Sequence, residues 1–172
     1  MVDKIIIIDN FLEPNDLQRI VEYMDRQTFV FGHSSGPHET VNNQFFATYT
    51  FDELFSIYIK EKIEQTLGQK FQINRNYGHI QTFGQDGAYH EDDTRENAYT
   101  FCIYLTELDD KTMETAGGEF FIKIPNQEAI LGIATRMNRG VFFPSMYLHK
   151  GMAYSRPHEE IRTCITWKLE II

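Results

Sequence analysis

A chain of 172 residues that is 42% hydrophobic and 14% aromatic is long enough to bury one core, and it is too rich in Phe and Tyr to be a disordered tail. Its formal net charge of -9, with no concentrated basic patch, opposes binding to nucleic acid and favours a peptide or small-molecule substrate. The two cysteines, Cys102 and Cys164, each lie in an apolar run and read as buried free thiols, which excludes a secreted disulfide scaffold.

The isoleucine run Ile5 to Ile8 is too short for a signal-peptide core or a bilayer span, so no membrane association and a cytoplasmic location are expected. That run predicts a strand, stopped by Asp9-Asn10. Pro14-Asn15-Asp16 then starts a helix with Leu17, Ile20, Val21 and Met24 on one face. Residues 28–50, with Gly32, Gly36-Pro37 and Asn42-Asn43, fit neither periodicity and read as a surface loop with short strands, a candidate lid over a substrate mouth. A second helix is expected over 52–67, burying Leu54, Phe55, Tyr58, Ile59, Ile63 and Leu67 before Gly68 ends it.

From there on, short runs rich in Ile, Phe, Tyr, Thr and Val alternate with turn residues. Strands are expected near 70–74, 77–84, 87–91, 98–106, 118–123, 129–133, 139–143, 147–152 and 161–171. The fold class that follows is mainly β with flanking helices: a double-stranded β-helix (jelly roll) with the N-terminal helices packed on its major sheet. Residues 1–172 form a single domain in this reading, with 1–70 as helical support and 71–172 as the jelly-roll core.

The chemistry concentrates in Tyr89-His90-Glu91-Asp92-Asp93. Residues two apart share one side of a pleated strand, so His90 and Asp92 can meet one metal while Asp93 faces away. His149 follows Val141-Phe142-Phe143 and a Pro144-Ser145 turn, 59 residues after His90 (149 − 90), enough chain to return a second strand beside the first. Two imidazoles and one carboxylate leave one side of a metal open, the arrangement of non-haem Fe(II) sites, whereas a closed structural site takes four protein ligands. A lone His-x-Asp arises by chance and a lone His is an ordinary core or surface residue, so the last strand adds the weight. There Thr163, Ile165 and Trp167 alternate with Arg162, Cys164 and Thr166. In 99–106, Phe101, Ile103 and Leu105 alternate with Thr100, Cys102, Tyr104 and Thr106. If the apolar faces pack under the helices, Arg162, Thr166 and Tyr104 converge between the sheets on an anionic ligand.

These residues resemble the prolyl-4-hydroxylase-like 2-oxoglutarate oxygenases over nearly the whole chain. IIIIDNFLEPNDLQRIVEYM looks like that family's opening strand, turn and helix, YHEDD like its His-x-Asp, and AGGEF like its Gly-Gly turn. LHKGMAYSRPHEEIRTCITWKL looks like its distal His and, thirteen residues on, its basic residue. The resemblance implies Fe(II) on His90, Asp92 and His149, and 2-oxoglutarate and O2 as co-substrates. It implies that Arg162 pairs with the distal carboxylate of 2-oxoglutarate, with Tyr104 and Thr166 as hydroxyl partners, and that ascorbate serves as reductant. The implied activity is hydroxylation of an unactivated C–H bond of a peptidyl prolyl or other amino-acid residue, with release of succinate and CO2. Retention of Asp92 argues against halogenation. The same chemistry on a free amino acid, another small metabolite or a nucleobase is the alternative, and a non-catalytic jelly-roll binding protein the third reading.

The family often has Tyr where this chain has Phe83, Tyr89 abuts His90 directly, and the hairpin at Tyr154 to Glu160 is expected to be enlarged. His33 and His38 read as exposed loop histidines rather than a second metal pair, and His79 and His158 as structural or surface residues. Arg95 reads as a surface ion pair, Trp167 as core, and Asp109-Asp110 as charge in a turn.

Overall fold

The computed structural model describes residues 4–35, 44–49, 52–155 and 160–172. In chain order these form β1 (Ile6–Ile8), α1 (Pro14–Asp25), β2 (Val30–Ser34) and β3 (Gln44–Tyr49). A π-helical segment Leu54–Ile59 leads into α2 (Lys60–Leu67), followed by β4 (Phe71–Gln81), β5 (Ala98–Tyr104) and α3 (Asp110–Ala116). The remaining strands are β6 (Phe120–Lys123), β7 (Ile130–Ile133), β8 (Gly140–Pro144), β9 (His149–Gly151) and β10 (Arg162–Ile171).

Seven strands form one antiparallel sheet in the order β1-β8-β5-β10-β4-β3-β2, and three form a second in the order β7-β6-β9. Residues 87–90 run beside β9. The Gly87 N–H donates to the Gly151 carbonyl at 2.8 Å, and His90 and His149 exchange both backbone bonds at 3.0 Å. The strand expected over 87–91 is therefore reduced to a bridge, but it lies at the edge of the smaller sheet. Two facing antiparallel sheets make the jelly roll that the pattern predicts.

The period-two alternation of β5 and β10 divides the interior. Phe101, Ile103, Ile165, Trp167 and Leu169 share one buried cluster with Ile20 and Met24 of α1, with Phe55 and Ile59, and with Ile63 of α2. Cys102, Tyr104 and Cys164, one residue out of phase, belong to a second cluster with Phe120, Ile122 and Phe143 between the sheets.

The helix expected over 52–67 is regular only in its second half, where Gly68 at φ 66° ends it in the left-handed conformation that glycine permits. In the first half the Phe55 carbonyl accepts the indole N–H of Trp167 at 3.1 Å, and the wider π turn accommodates that insertion. The strands expected at 70–74 and 77–84 are one continuous strand, β4, because β10 pairs along its whole length. Helix α3 was not foreseen: Asp109, expected to be turn charge, caps it by accepting from the Thr112 N–H at 3.0 Å. None of the described helices is long and apolar enough to cross a membrane.

Candidate metal and anion site

Directly opposed residues of an antiparallel pair project to the same side, and the bridge between His90 and His149 does this with two imidazoles, whose ring centroids lie 4.3 Å apart. Asp92, two residues beyond His90, is anchored by its own N–H to the Ser145 carbonyl at 2.9 Å. One donor atom from each of His90, Asp92 and His149 falls within 4.8 Å of the others.

The outer nitrogens of both rings are committed. Nδ1 of His90 bonds the Ala88 carbonyl at 2.9 Å, and Nδ1 of His149 bonds the Tyr147 carbonyl at 2.8 Å. A carbonyl only accepts, so both Nδ1 atoms carry the proton and each neutral ring turns the lone pair of Nε2 inward. Those two nitrogens face the two Asp92 oxygens at 3.3 Å each. Lone pairs aimed at a carboxylate call for a cation between them, so the donor set fits a divalent metal.

Burial raises the Asp92 carboxyl, but the Lys168 ammonium and His149 oppose it and hold it well below the usual carboxylate range. Burial likewise lowers His149, a pull that Asp92 only partly offsets. Lys168 reaches Asp92 Oδ2 from β10, and Thr100 Oγ1 donates to the same oxygen at 2.6 Å. Asp92 Oδ2 is therefore shared by Lys168, Thr100 and the His149 side of the cluster, while Oδ1 faces His90 alone. Burial alone would lower the Lys168 ammonium, yet Asp92 and Tyr77 keep it raised.

The same narrow chamber is lined by Arg162, Tyr104 and Thr166. Arg162 is 2% exposed, and among the described residues no carboxylate pairs with it. Its Nε donates to the Gly118 carbonyl at 3.0 Å and its Nη1 to Gln81 Oε1 at 2.5 Å. The Gly117-Gly118 turn has positive φ at both positions, and a Cβ on Gly118 would come within 2.7 Å of the Tyr154 ring. Tyr104 is 1% exposed and its hydroxyl has no partner among the described residues, while burial pushes its phenol well up. Thr166 Oγ1 lies 3.5 Å from the Cys102 sulfur. A buried guanidinium without an acid, beside an unpartnered hydroxyl, fits a carboxylate ligand.

Sequence reasoning missed Gln81, Lys168 and Thr100. Lys168 shares the parity of Arg162 and Thr166, so extending the alternation one step would have placed it inside. Gln81 becomes visible only through its register partner Arg162. The family tyrosine sought at Phe83 has no counterpart there: Phe83 is 59% exposed, and Gln81 faces the chamber instead. His79, expected to be structural or at the surface, also lines the chamber, and burial together with Arg162 lowers it well below the usual imidazole range. His33 packs against Phe45 and Tyr77, and Arg95 pairs with Asp93 at 2.7 Å and Glu170 at 2.6 Å. His38 and His158 lie outside the described residues, as do 36–43 and 50 of the expected lid and 156–159 of the expected hairpin; the described part of the lid carries β2 and β3.

No family model matches the chain, and no curated protein matches its sequence. Solved structures do match. A prolyl hydroxylase from Trichoplax adhaerens, in complex with a hypoxia inducible factor oxygen degradation domain peptide fragment, superposes with a TM-score of 0.72 at 16% identity over 98% of this chain and 84% of its own. A 2OG-Fe(II) oxygenase family oxidoreductase from Burkholderia pseudomallei gives a TM-score of 0.73 at 12% identity, over 96% and 84%. HygX from Streptomyces hygroscopicus, with nickel, 2-oxoglutarate and hygromycin B bound, gives 0.71 at 8% identity, over 96% and 82%. The chain has the fold of the 2-oxoglutarate and iron(II) oxygenases.

Proposed function

We propose that residues 1–172 act as one Fe(II)- and 2-oxoglutarate-dependent dioxygenase domain that hydroxylates an unactivated C–H bond and releases succinate and CO2. The observation that carries this is the His90, Asp92 and His149 cluster, with both Nδ1 protons committed to carbonyls and both Nε2 atoms turned on one carboxylate. His90, Asp92 and His149 would hold the iron. Arg162 would receive the distal carboxylate of 2-oxoglutarate, with Tyr104 and Thr166 as hydroxyl partners.

When bound, iron with 2-oxoglutarate and O2 supplies the oxidising chemistry, with ascorbate as external reductant. This chain's residues orient and exclude. Thr100 and Lys168 keep Asp92 in one rotamer, the two backbone carbonyls keep the imidazoles in one tautomer, and Arg162 fixes the co-substrate along the chamber. The apolar side chains of Phe120 and Phe143 against His149 keep bulk water away from its ring.

A peptidyl prolyl or other amino-acid residue is the first substrate in this reading, supported by the fold shared with prolyl hydroxylases. The segment around residues 28–50 serves as its lid, and the two buried free thiols suit a cytoplasmic setting. A small-molecule substrate is the second, favoured by an outer cavity of about 530 Å³ that opens onto His90 and Asp92. Anaerobic addition of Fe(II) and then 2-oxoglutarate to the apoprotein tests the class through the metal-to-ligand absorption band. Neither a band nor succinate formation under air would leave a jelly-roll binding protein as the remaining reading.

A further inference from the structure

Within the antiparallel pair of β10 and β4, Lys168 stands directly opposite Arg75. Two cations face each other across one rung on the side of the sheet that bears the metal ligands, an arrangement that costs stability unless an anion lies between them. Lys168 has Asp92. Arg75 has no acidic partner among the described residues; its guanidinium lies over the Tyr77 ring, 4.9 Å from the centroid. The nearby acids are otherwise engaged: Arg95 binds both Asp93 and Glu170, and Asn74 and Asn97 also donate to Glu170. Glu91 lines the outer cavity as well, but no ion pair joins it to Arg75.

Arg75 borders two spaces at once: the outer cavity walled by Phe31, Tyr49 and Tyr77, and a cleft of about 280 Å³ shared with Lys168 and Asp92. Charge counting over the inner site points the same way. Asp92, Lys168 and Arg162 sum to +1; a divalent metal and the dianion 2-oxoglutarate cancel each other, and Arg75 at the rim adds a further positive charge.

We infer that the substrate carries an anionic group, a carboxylate or a phosphate, which Arg75 receives at the rim with Lys168 behind it, while the aromatic wall takes the rest of the molecule. This rests on the oxygenase reading above and narrows its substrate class. Arg75 is exposed and its removal leaves no buried group unpaired, which makes it the residue to change.

The test uses the full chain loaded with Fe(II) and 2-oxoglutarate. Matched pairs are added: L-amino acids against their carboxamides, and phosphomonoesters against their parent alcohols. The readouts are perturbation of the anaerobic absorption band and stimulation of succinate release under air. At least one anionic member should act at about tenfold lower concentration than its neutral partner, and which pair responds separates carboxylate from phosphate. Arg75→Ala should raise the concentration required by about tenfold to a hundredfold while the 2-oxoglutarate band persists, and Arg75→Glu should remove the preference for the anion. A neutral partner that acts equally well, an Arg75→Ala protein that responds like the wild type, or a panel without one active anion would overturn the inference while the band stands. A wild-type protein without the band would sink the oxygenase reading itself.

Discussion

Arg162 and Gln81 are register partners across β10 and β4, and the guanidinium donates Nη1 to the Gln81 amide oxygen at 2.5 Å. A neutral acceptor positions the cation without cancelling its charge, so the charge stays available for a ligand. Gln81→Glu would supply a resident carboxylate in competition with 2-oxoglutarate. The expected result is a fall in 2-oxoglutarate affinity of about a hundredfold with metal affinity retained, measured by titrating 2-oxoglutarate into Mn(II)-loaded protein. Arg162→Lys should not restore wild-type affinity, since an ammonium lacks the planar fork.

Metal binding should stabilise the native chain through His149. With free Mn(II) at a hundred times its dissociation constant, mass action contributes about 2.7 kcal/mol, and the thermal midpoint rises accordingly. His149→Ala should abolish that rise. A variant whose midpoint still climbs with Mn(II) would place the ion elsewhere.

Glu64 supplies an acid-sensitive element far from the site. Burial alone would raise its carboxyl, but ion pairs with Lys60 at 2.7 Å and Lys70 at 2.8 Å, and the Phe71 N–H at 2.9 Å, bring it down to about 2. A folded-state value below the ordinary glutamate value of 4.5 means stabilisation that is present above pH 4.5 and lost as the pH falls toward about 2. Urea midpoints measured across that window should decline in the wild type and decline less steeply in Glu64→Gln.

Trp167, the single tryptophan, is fully buried and donates its indole N–H to Phe55. Trp167→Ala should cost about 3–5 kcal/mol, the range for emptying a large aromatic site. Trp167→Phe should cost less, leaving the Phe55 carbonyl without its donor. Equilibrium unfolding followed by far-UV circular dichroism separates the two, since neither variant keeps the fluorophore.

How far the chain could be read in advance depended on how local each signal was. The alternation in β10 is local, and it placed Arg162 and Thr166 on the inner face. Lys168 obeys the same rule, but the alternation was followed only as far as Trp167, one residue short of it. Gln81 has no local signal, since its importance lies in pairing with a residue 81 positions away. The π-helical turn at Leu54–Ile59 is likewise imposed from a distance, by the Trp167 indole, while the pattern of Phe55, Ile59 and Ile63 looks like an ordinary helix. Asp109 before Thr112 is a local cap signal that its acidic neighbour disguised as a charged turn.

The place of β10 bears on how the molecule assembles. It enters between β4 and β5, both of which precede it in the chain. Until it arrives, the half-sheets β1-β8-β5 and β4-β3-β2 each present an open edge, and neither can zip onto the other. Such non-local closure belongs with folding times of roughly milliseconds to seconds and leaves a window for edge-to-edge aggregation. The strand that delivers Arg162, Thr166 and Lys168 thus also acts as the latch, so a nascent chain cannot form the chamber they line before its major sheet has closed.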